Sequence, residues 1–145
     1  MIQIEYIFQN KKQIIHAKKN QVLHTINDRG VIEKCQWGNV NNDLIPKGYF
    51  AYINDISSGL WDSYFPEYSG IILDSFFMMD CNQCYHHFKV IKGNHLLSVK
   101  IKHGNQSFIY CVLQNNNCLM SKFYFWPKVI KRISLSYEYK SFFAS

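Results

Sequence analysis

Cys81-x-x-Cys84-Tyr85-His86-His87 gathers the side chains of this 145-residue sequence with the most direct capacity for chemistry. A two-residue gap lets two thiolates reach one tetrahedral Zn²⁺, and a neighbouring imidazole can supply a third ligand. Cys81, Cys84, His86 and His87 are therefore the candidate metal ligands, with zinc as the metal. No second pair stands at a standard knuckle spacing, because six residues separate Cys111 from Cys118 and seven separate His95 from His103. The competing reading is two free thiols in a loop leading into strands, with no cofactor. A thioredoxin-type redox pair opens a helix, and nothing helical is expected after Cys84.

Six histidines, His16, His24, His86, His87, His95 and His103, offer general acid/base chemistry. A pair of them, with Lys100 or Lys102 holding transition-state charge, would make a small metal-independent ribonuclease. Spacing singles out no pair. His16 and His24 are interleaved with Ile14, Val22 and Ile26 and read equally well as hydrogen-bonded core residues. The sequence contains no Gly-x-Gly-x-x-Gly, Walker loop, Gly-x-Ser-x-Gly or His-Glu-x-x-His. No residue is assigned a catalytic role, and the reading leans away from an enzyme.

Charge gives two further candidates. Residues 81–145 hold nine Lys and Arg against the single acid Glu138, a net +8, whereas 1–80 hold seven against nine acids, a net −2. Such a split predicts two chemically different surfaces and hence binding. On the basic side, Lys100, Lys102, Lys122, Lys131 and Arg132, interleaved with Tyr124 and Trp126, have the composition of a nucleic-acid surface, in which cations meet phosphates and aromatic faces meet unpaired bases. A solvated sheet face would look the same. On the acidic side, residues 43–80 carry six acids, one Lys and nine aromatics. There Asp55, Asp62, Glu67 and Asp74, with Trp61 and Tyr64, would form a protein-binding face, the aromatics anchoring and the carboxylates orienting. The alternative is that these acids pair with the chain's own basic strands.

These residues must be positioned by strands, since period-two alternation dominates. Ile2, Ile4, Tyr6 and Phe8 share one face, and Leu97, Val99 and Ile101 alternate with Ser98, Lys100 and Lys102. Lys92-Gly93-Asn94, His103-Gly104-Asn105-Gln106 and Asn115-Asn116-Asn117 read as turns of an antiparallel meander, with Lys100 and Lys102 on its outer face. Phe108 to Leu113 is apolar on both faces and belongs centrally. Asn10-Lys11-Lys12 and Asp28-Arg29-Gly30 predict turns around residues 13–27. Val129 to Tyr139 predicts a strand with Val129, Ile133, Leu135, Tyr137 and Tyr139 on one face. Residues 53–65 predict a short helix with Leu60, Trp61 and Tyr64 inward, capped near Asn54 or Ser57.

The expected fold is therefore α+β, mostly β. It is one domain over 1–145 with a twisted antiparallel sheet of about six to eight strands: N-terminal strands in 1–42, a short helical acidic insert in 43–80 and a basic meander in 81–145. Its core is expected to hold Ile4, Tyr6, Phe8, Val99, Ile101, Phe108, Tyr110, Val112, Phe123, Phe125, Ile133 and Leu135. Hydrophobic residues make up 48% of the chain and aromatics 17%, too much for a disordered segment. Five cysteines without dense regular spacing, no apolar run of membrane length and an N-terminus unlike a secretory signal point to the cytoplasm and to no membrane partner. In size, single-domain layout and absence of catalytic motifs the chain resembles the immunity proteins that bacteria make against their own toxins. That resemblance rests on no motif and assigns no residue. It implies a neutraliser that occludes a partner protein's active site, the partner being a toxin or nuclease, with nucleic-acid binding as the alternative.

Overall fold

The computed structural model describes residues 2–18, 21–115 and 125–131. Twelve strands, one short helix and one 3-10 turn account for the regular structure of that part. The chain is mostly β, as alternation requires. A four-stranded antiparallel sheet is ordered β2-β1-β7-β8, from β1 (Ile2–Phe8), β2 (Lys11–His16), β7 (Ser75–Met79) and β8 (Tyr85–Lys89). A larger mixed sheet holds β3 (Val22–Ile26), β4 (Ile32–Trp37), β5 (Phe50–Tyr52), β6 (Glu67–Ile71), β9 (Asn94–His103), β10 (Gln106–Asn115), β11 (Phe125–Pro127) and β12 (Val129–Lys131). The helix α1 (Ile53–Ser57) lies between β5 and β6.

Five strands of the larger sheet close on themselves. β3 pairs with β4, β4 with β10, β10 with β9, β9 with β6, and β6 returns to β3. The β4–β10 pairing is parallel and the other four are antiparallel. Closure leaves these strands without free edges. The registers put one set of side chains on the same side of the ring: Leu23 beside Cys35, Ile71 beside Leu96, Ile109 beside Trp37 and Cys111 beside Ser98. That side forms a core with Ile2, Ile4, Tyr6, Phe76 and Met78 of the four-stranded sheet. The opposite side presents Leu97, Val99, Ile101, Phe108, Tyr110 and Val112 to Ile45, Ala51, Ile56 and Trp61 of the central segment. The result is three layers: small sheet, closed sheet and insert.

Turn chemistry follows the sequence. Gly93 and Gly104 take left-handed conformations in the turns that enter β9 and join β9 to β10. Gly38, where the central segment leaves β4, is also left-handed, and a Cβ there would overlap the Tyr49 ring. The first hairpin turns at Gln9 and Asn10, both at positive φ, so Lys11 and Lys12 belong to β2. The residues between the two N-terminal turns split into two strands in different sheets.

Several expectations are corrected. Leu97, Val99 and Ile101 are buried, but so are Ser98 and Lys100, because β9 is covered on both sides. Lys100 is only 3% exposed, and its Nζ lies 3.0 Å from Glu33 Oε2 and 3.3 Å from Glu67 Oε2. Burial pulls the Lys100 pKa down, but the two carboxylates outweigh it and hold it above the ordinary lysine value. In β12 the predicted faces are reversed: Ile130 is 3% exposed and Val129 43%, because Ile130 enters the core beneath the insert. Phe125 is not a core residue; it packs edge-on against Tyr52 at the surface. Ile4, Tyr6, Val99, Ile101, Phe108, Tyr110 and Val112 are buried as expected, and Phe8 is half-buried. Phe123, Ile133, Leu135, Tyr137 and Tyr139 lie outside the described residues.

The Lys100 cluster gives a stability test. Lys100→Ala leaves two carboxylates facing each other without their cation, and the folded state should lose about 1–3 kcal/mol, read as a lower urea midpoint. The sign with pH follows from a raised folded pKa: the contribution is present at and below the ordinary value of 10.5 and is lost as pH climbs through the folded value above it. The wild-type and Lys100→Ala midpoints should therefore converge in strong alkali.

Candidate functional site

The insert is held by one buried aromatic. Trp61 is 6% exposed, its ring meeting Tyr110 edge-on at a centroid distance of 5.0 Å and Tyr64 at 6.4 Å. Tyr110 in turn donates its hydroxyl to the Pro46 carbonyl at 2.6 Å, fixing the loop that precedes β5. Asn39 organises the same loop, its Nδ2 donating to the carbonyls of Asn42 at 2.7 Å and Pro46 at 3.0 Å.

Around this pin the chain turns abruptly. The helix predicted over 53–65 is shorter than expected: α1 spans Ile53–Ser57, begins after Tyr52 without a side-chain cap, and buries Ile56. Gly59 at φ +87° stops it, and Asp62–Tyr64 forms a 3-10 turn. Leu60, expected inward, is 66% exposed because the Gly59 reversal rotates it out. Phe65 ends the turn at φ +52° with 86% of its surface exposed. An aromatic residue in the left-handed region pays a steric cost that glycine would avoid. Here that cost accompanies a large apolar side chain aimed at water.

Asp55, Trp61 and Tyr64 come together with Leu60 and Tyr52 along an open groove of about 330 Å³. Asp62 is exposed at the Gly59 turn, its carboxylate 3.0 Å from where a Cβ on residue 59 would stand. Among the described residues neither Asp55 nor Asp62 is in an ion pair. The other two predicted acids lie apart. Glu67 reaches back to Lys100. Asp74 sits by the small sheet, its N–H donating to Glu5 and its carbonyl accepting from Val90. Of the predicted residues, Asp55, Trp61 and Tyr64 thus share one groove with Leu60 and Tyr52, while Asp62 and the outward Phe65 flank Tyr64 in the 3-10 turn and at its end. Sequence reasoning missed Phe65, although a residue immediately before Pro66 is poorly placed to continue a helix and Gly59 marks the preceding break.

The Cys81/Cys84 segment is the turn of the β7–β8 hairpin. Asp80 organises it: Oδ1 accepts from the N–H groups of Asn82 at 2.8 Å and Cys84 at 2.9 Å, and Oδ2 lies 2.7 Å from His86 Nε2. His86 and His87 are consecutive in β8 and so face opposite sides of the sheet. His87 stacks on Phe77 at 4.4 Å. Among the described residues no group of three or more His, Cys, Asp and Glu converges on a point that could hold a metal ion.

The basic surface is smaller than its residue list. Lys100 is internal, Lys102 and Lys131 are exposed on β9 and β12, and Lys122, Tyr124 and Arg132 lie outside the described residues. The histidines are distributed over β2, β3, β8 and β9 in both sheets. Among the described residues no helix is long and apolar enough to cross a membrane. Comparison with protein-family models, curated proteins and solved structures gave no match.

Two measurements check this geometry. Phe65→Gly relieves the left-handed backbone at little cost in burial, so the variant should unfold at a higher urea concentration, a gain of about 0.5–1 kcal/mol after the added freedom of the unfolded chain is subtracted. The hydrogen bond from His86, then those from the backbone, hold the Asp80 carboxyl below its ordinary value of 3.8. The Cys84 amide resonance should accordingly titrate with an inflection below pH 3.8. The Asp80 contribution, present above that value, is lost as pH falls through the inflection.

Proposed function

We propose that this protein is a protein-binding module, a neutraliser that covers the active site of a partner protein with the insert at residues 52–65. The observation that carries the reading is Phe65, an aromatic 86% exposed and held at positive φ, next in the chain to Tyr64, which lines a groove of about 330 Å³ with the exposed Leu60, Asp55 and Lys47, the last paired with Asp43. Surface aromatics flanking a pocket are the usual anchors of protein interfaces, while charges at the rim set orientation and encounter rate. With Asp55 and Asp62 outside ion pairs among the described residues, the complementary partner presents Lys or Arg beside an apolar cleft. Cationic enzymes that bind polyanions, nucleases among them, have that chemistry.

Rigidity supports the same reading. Trp61 is locked against Tyr110, and Tyr110 against Pro46, so the outward residues are held without relying on the partner. A preorganised surface loses less entropy on association. The nucleic-acid reading is weakened by the loss of Lys100 to the interior.

The test is co-purification from host extract under nuclease treatment. One stoichiometric basic protein should be retained by the wild type and by Lys102→Ala, and Phe65→Ala with Leu60→Ala should weaken its binding at least about tenfold, which is 1.4 kcal/mol. Asp55→Asn with Asp62→Asn should slow association and flatten its salt dependence. A partner that is indifferent to all four insert substitutions, or one lost only with Lys102→Ala, would refute the proposal.

A further inference from the structure

A second concavity lies where the β1–β2 hairpin faces the β3–β4 hairpin. Register builds it. On the first hairpin Tyr6 stands opposite Gln13 and Phe8 opposite Lys11; on the second, His24 stands opposite Lys34. The His24 ring stacks on Phe8 at 3.7 Å, 19° from parallel, and meets Tyr6 obliquely at 5.6 Å. The two hairpins thus enclose a groove of about 330 Å³, within the range of small-molecule sites.

Its chemistry is one-sided. Lys11 and Lys34 stand on opposite walls, and no carboxylate lines the groove. Tyr6 donates its hydroxyl to Gln13 Oε1 at 2.9 Å, so the free end of that amide is its N–H donor group. Both ring nitrogens of His24 are shielded from solvent and have no hydrogen-bond partner among the described residues, which is rare for buried polar atoms in native proteins. Phe8 and Val22 supply the apolar part. Two cations, an amide donor and an imidazole beside aromatic surface fit an anionic head on a flat apolar body.

We propose that this groove binds a small organic anion, a planar ring bearing a carboxylate or a phosphate, its charge held between Lys11 and Lys34 and its ring against Phe8 and Val22. The site shares no lining residue with the insert groove and does not depend on the neutraliser reading. Burial, then the neighbouring Lys34, holds the His24 pKa below its ordinary 6.5. The charged or titratable groups facing it are Lys34 from β4, Lys11 from β2 and Tyr6 from β1. An anion seated between the lysines would offset Lys34 and raise the His24 value, so binding should tighten as pH falls towards it.

The experiment is an NMR titration of the full chain, following the His24 ring protons, with adenosine monophosphate and indole-3-acetate as phosphate and carboxylate probes. Adenosine and inorganic phosphate serve as their uncharged and ringless counterparts. Saturable His24 shifts with at least one ring-bearing anion, an upward movement of the His24 titration, and binding at least about tenfold weaker for adenosine and inorganic phosphate would support the proposal. Lys11→Gln and Lys34→Gln, both surface changes, should each weaken binding about tenfold. No saturable shift, equal response to inorganic phosphate alone, or binding unchanged in both lysine variants would overturn it. Which of the two anions binds more tightly distinguishes a phosphate ligand from a carboxylate one.

Discussion

The β9–β10 hairpin is apolar on both faces, and the architecture follows from the need to cover both. Leu96, Ile109, Cys111 and Leu113 belong to one core and Leu97, Val99, Ile101, Phe108, Tyr110 and Val112 to the other. At roughly 25 cal/mol per Å² of apolar surface removed from water, neither side can be left to solvent. One is covered by the turn of the strands into a ring and by the small sheet laid against it. The other is covered by residues 45–61, which lack the length of regular structure to fold alone and are ordered by Trp61 and Ile56 inserting beside Tyr110. The insert is therefore positioned by the hairpin, and its outward residues are fixed because its inward ones are.

Burying both faces also dictates what happens to charge. At the covered middle of β9 a lysine cannot be solvated on either side, so Lys100 is accommodated by Glu33 from β4 and Glu67 from β6, one cation tying three strands of the ring. Glu5 and Asp43 meet lysines of their own half at the surface, Lys12 at 2.8 Å and Lys47 at 2.7 Å. Through Lys100 the sharp division of charge along the sequence is partly cancelled in the fold. The acids that remain outside such pairs at the insert, Asp55 and Asp62, are the ones adjacent to exposed Leu60 and Phe65.

This explains what could be read from sequence and what could not. Alternation identifies strands and turn residues, and it located β1, β9 and β10, the Gly93 and Gly104 turns and the core residues that those three strands contribute at Ile4, Tyr6, Val99, Ile101, Phe108, Tyr110 and Val112. Alternation alone cannot say whether the second face of a strand meets water or another layer, so Lys100 looked like a surface cation. Nor can it fix which face is inward in a short strand, where Val129 and Ile130 are equally apolar and the insert's demand for Ile130 decides. The candidate interface was legible in composition, as aromatics and acids between residues 43 and 80, but its members were not. Leu60 and Phe65 point outward because of backbone reversals at Gly59 and at Phe65 itself, and a helical wheel drawn through these residues assigns Leu60 to the wrong side. The groove at His24 was less legible still, because it arises from the meeting of two hairpins whose registers are set separately.

The two concavities differ in how they are held, and that difference bears on what each can bind. At the insert the support is a chain of packed aromatics ending in a hydrogen bond, Trp61 to Tyr110 to Pro46, with the strained Phe65 at its rim. A surface that retains a steric cost in the free state and exposes a phenyl ring has little to lose and much apolar area to gain on meeting a complementary face. At the other site the aromatic stack of Phe8 and His24 is already satisfied as packing, and the residues left uncommitted are the cations Lys11 and Lys34 and the shielded imidazole. Apolar surface seeking cover favours a macromolecular face. Convergent cations over a finished floor favour a small charged molecule. The two proposals thus assign one strand framework two modes of recognition, one governed by exposed area and the other by unbalanced charge.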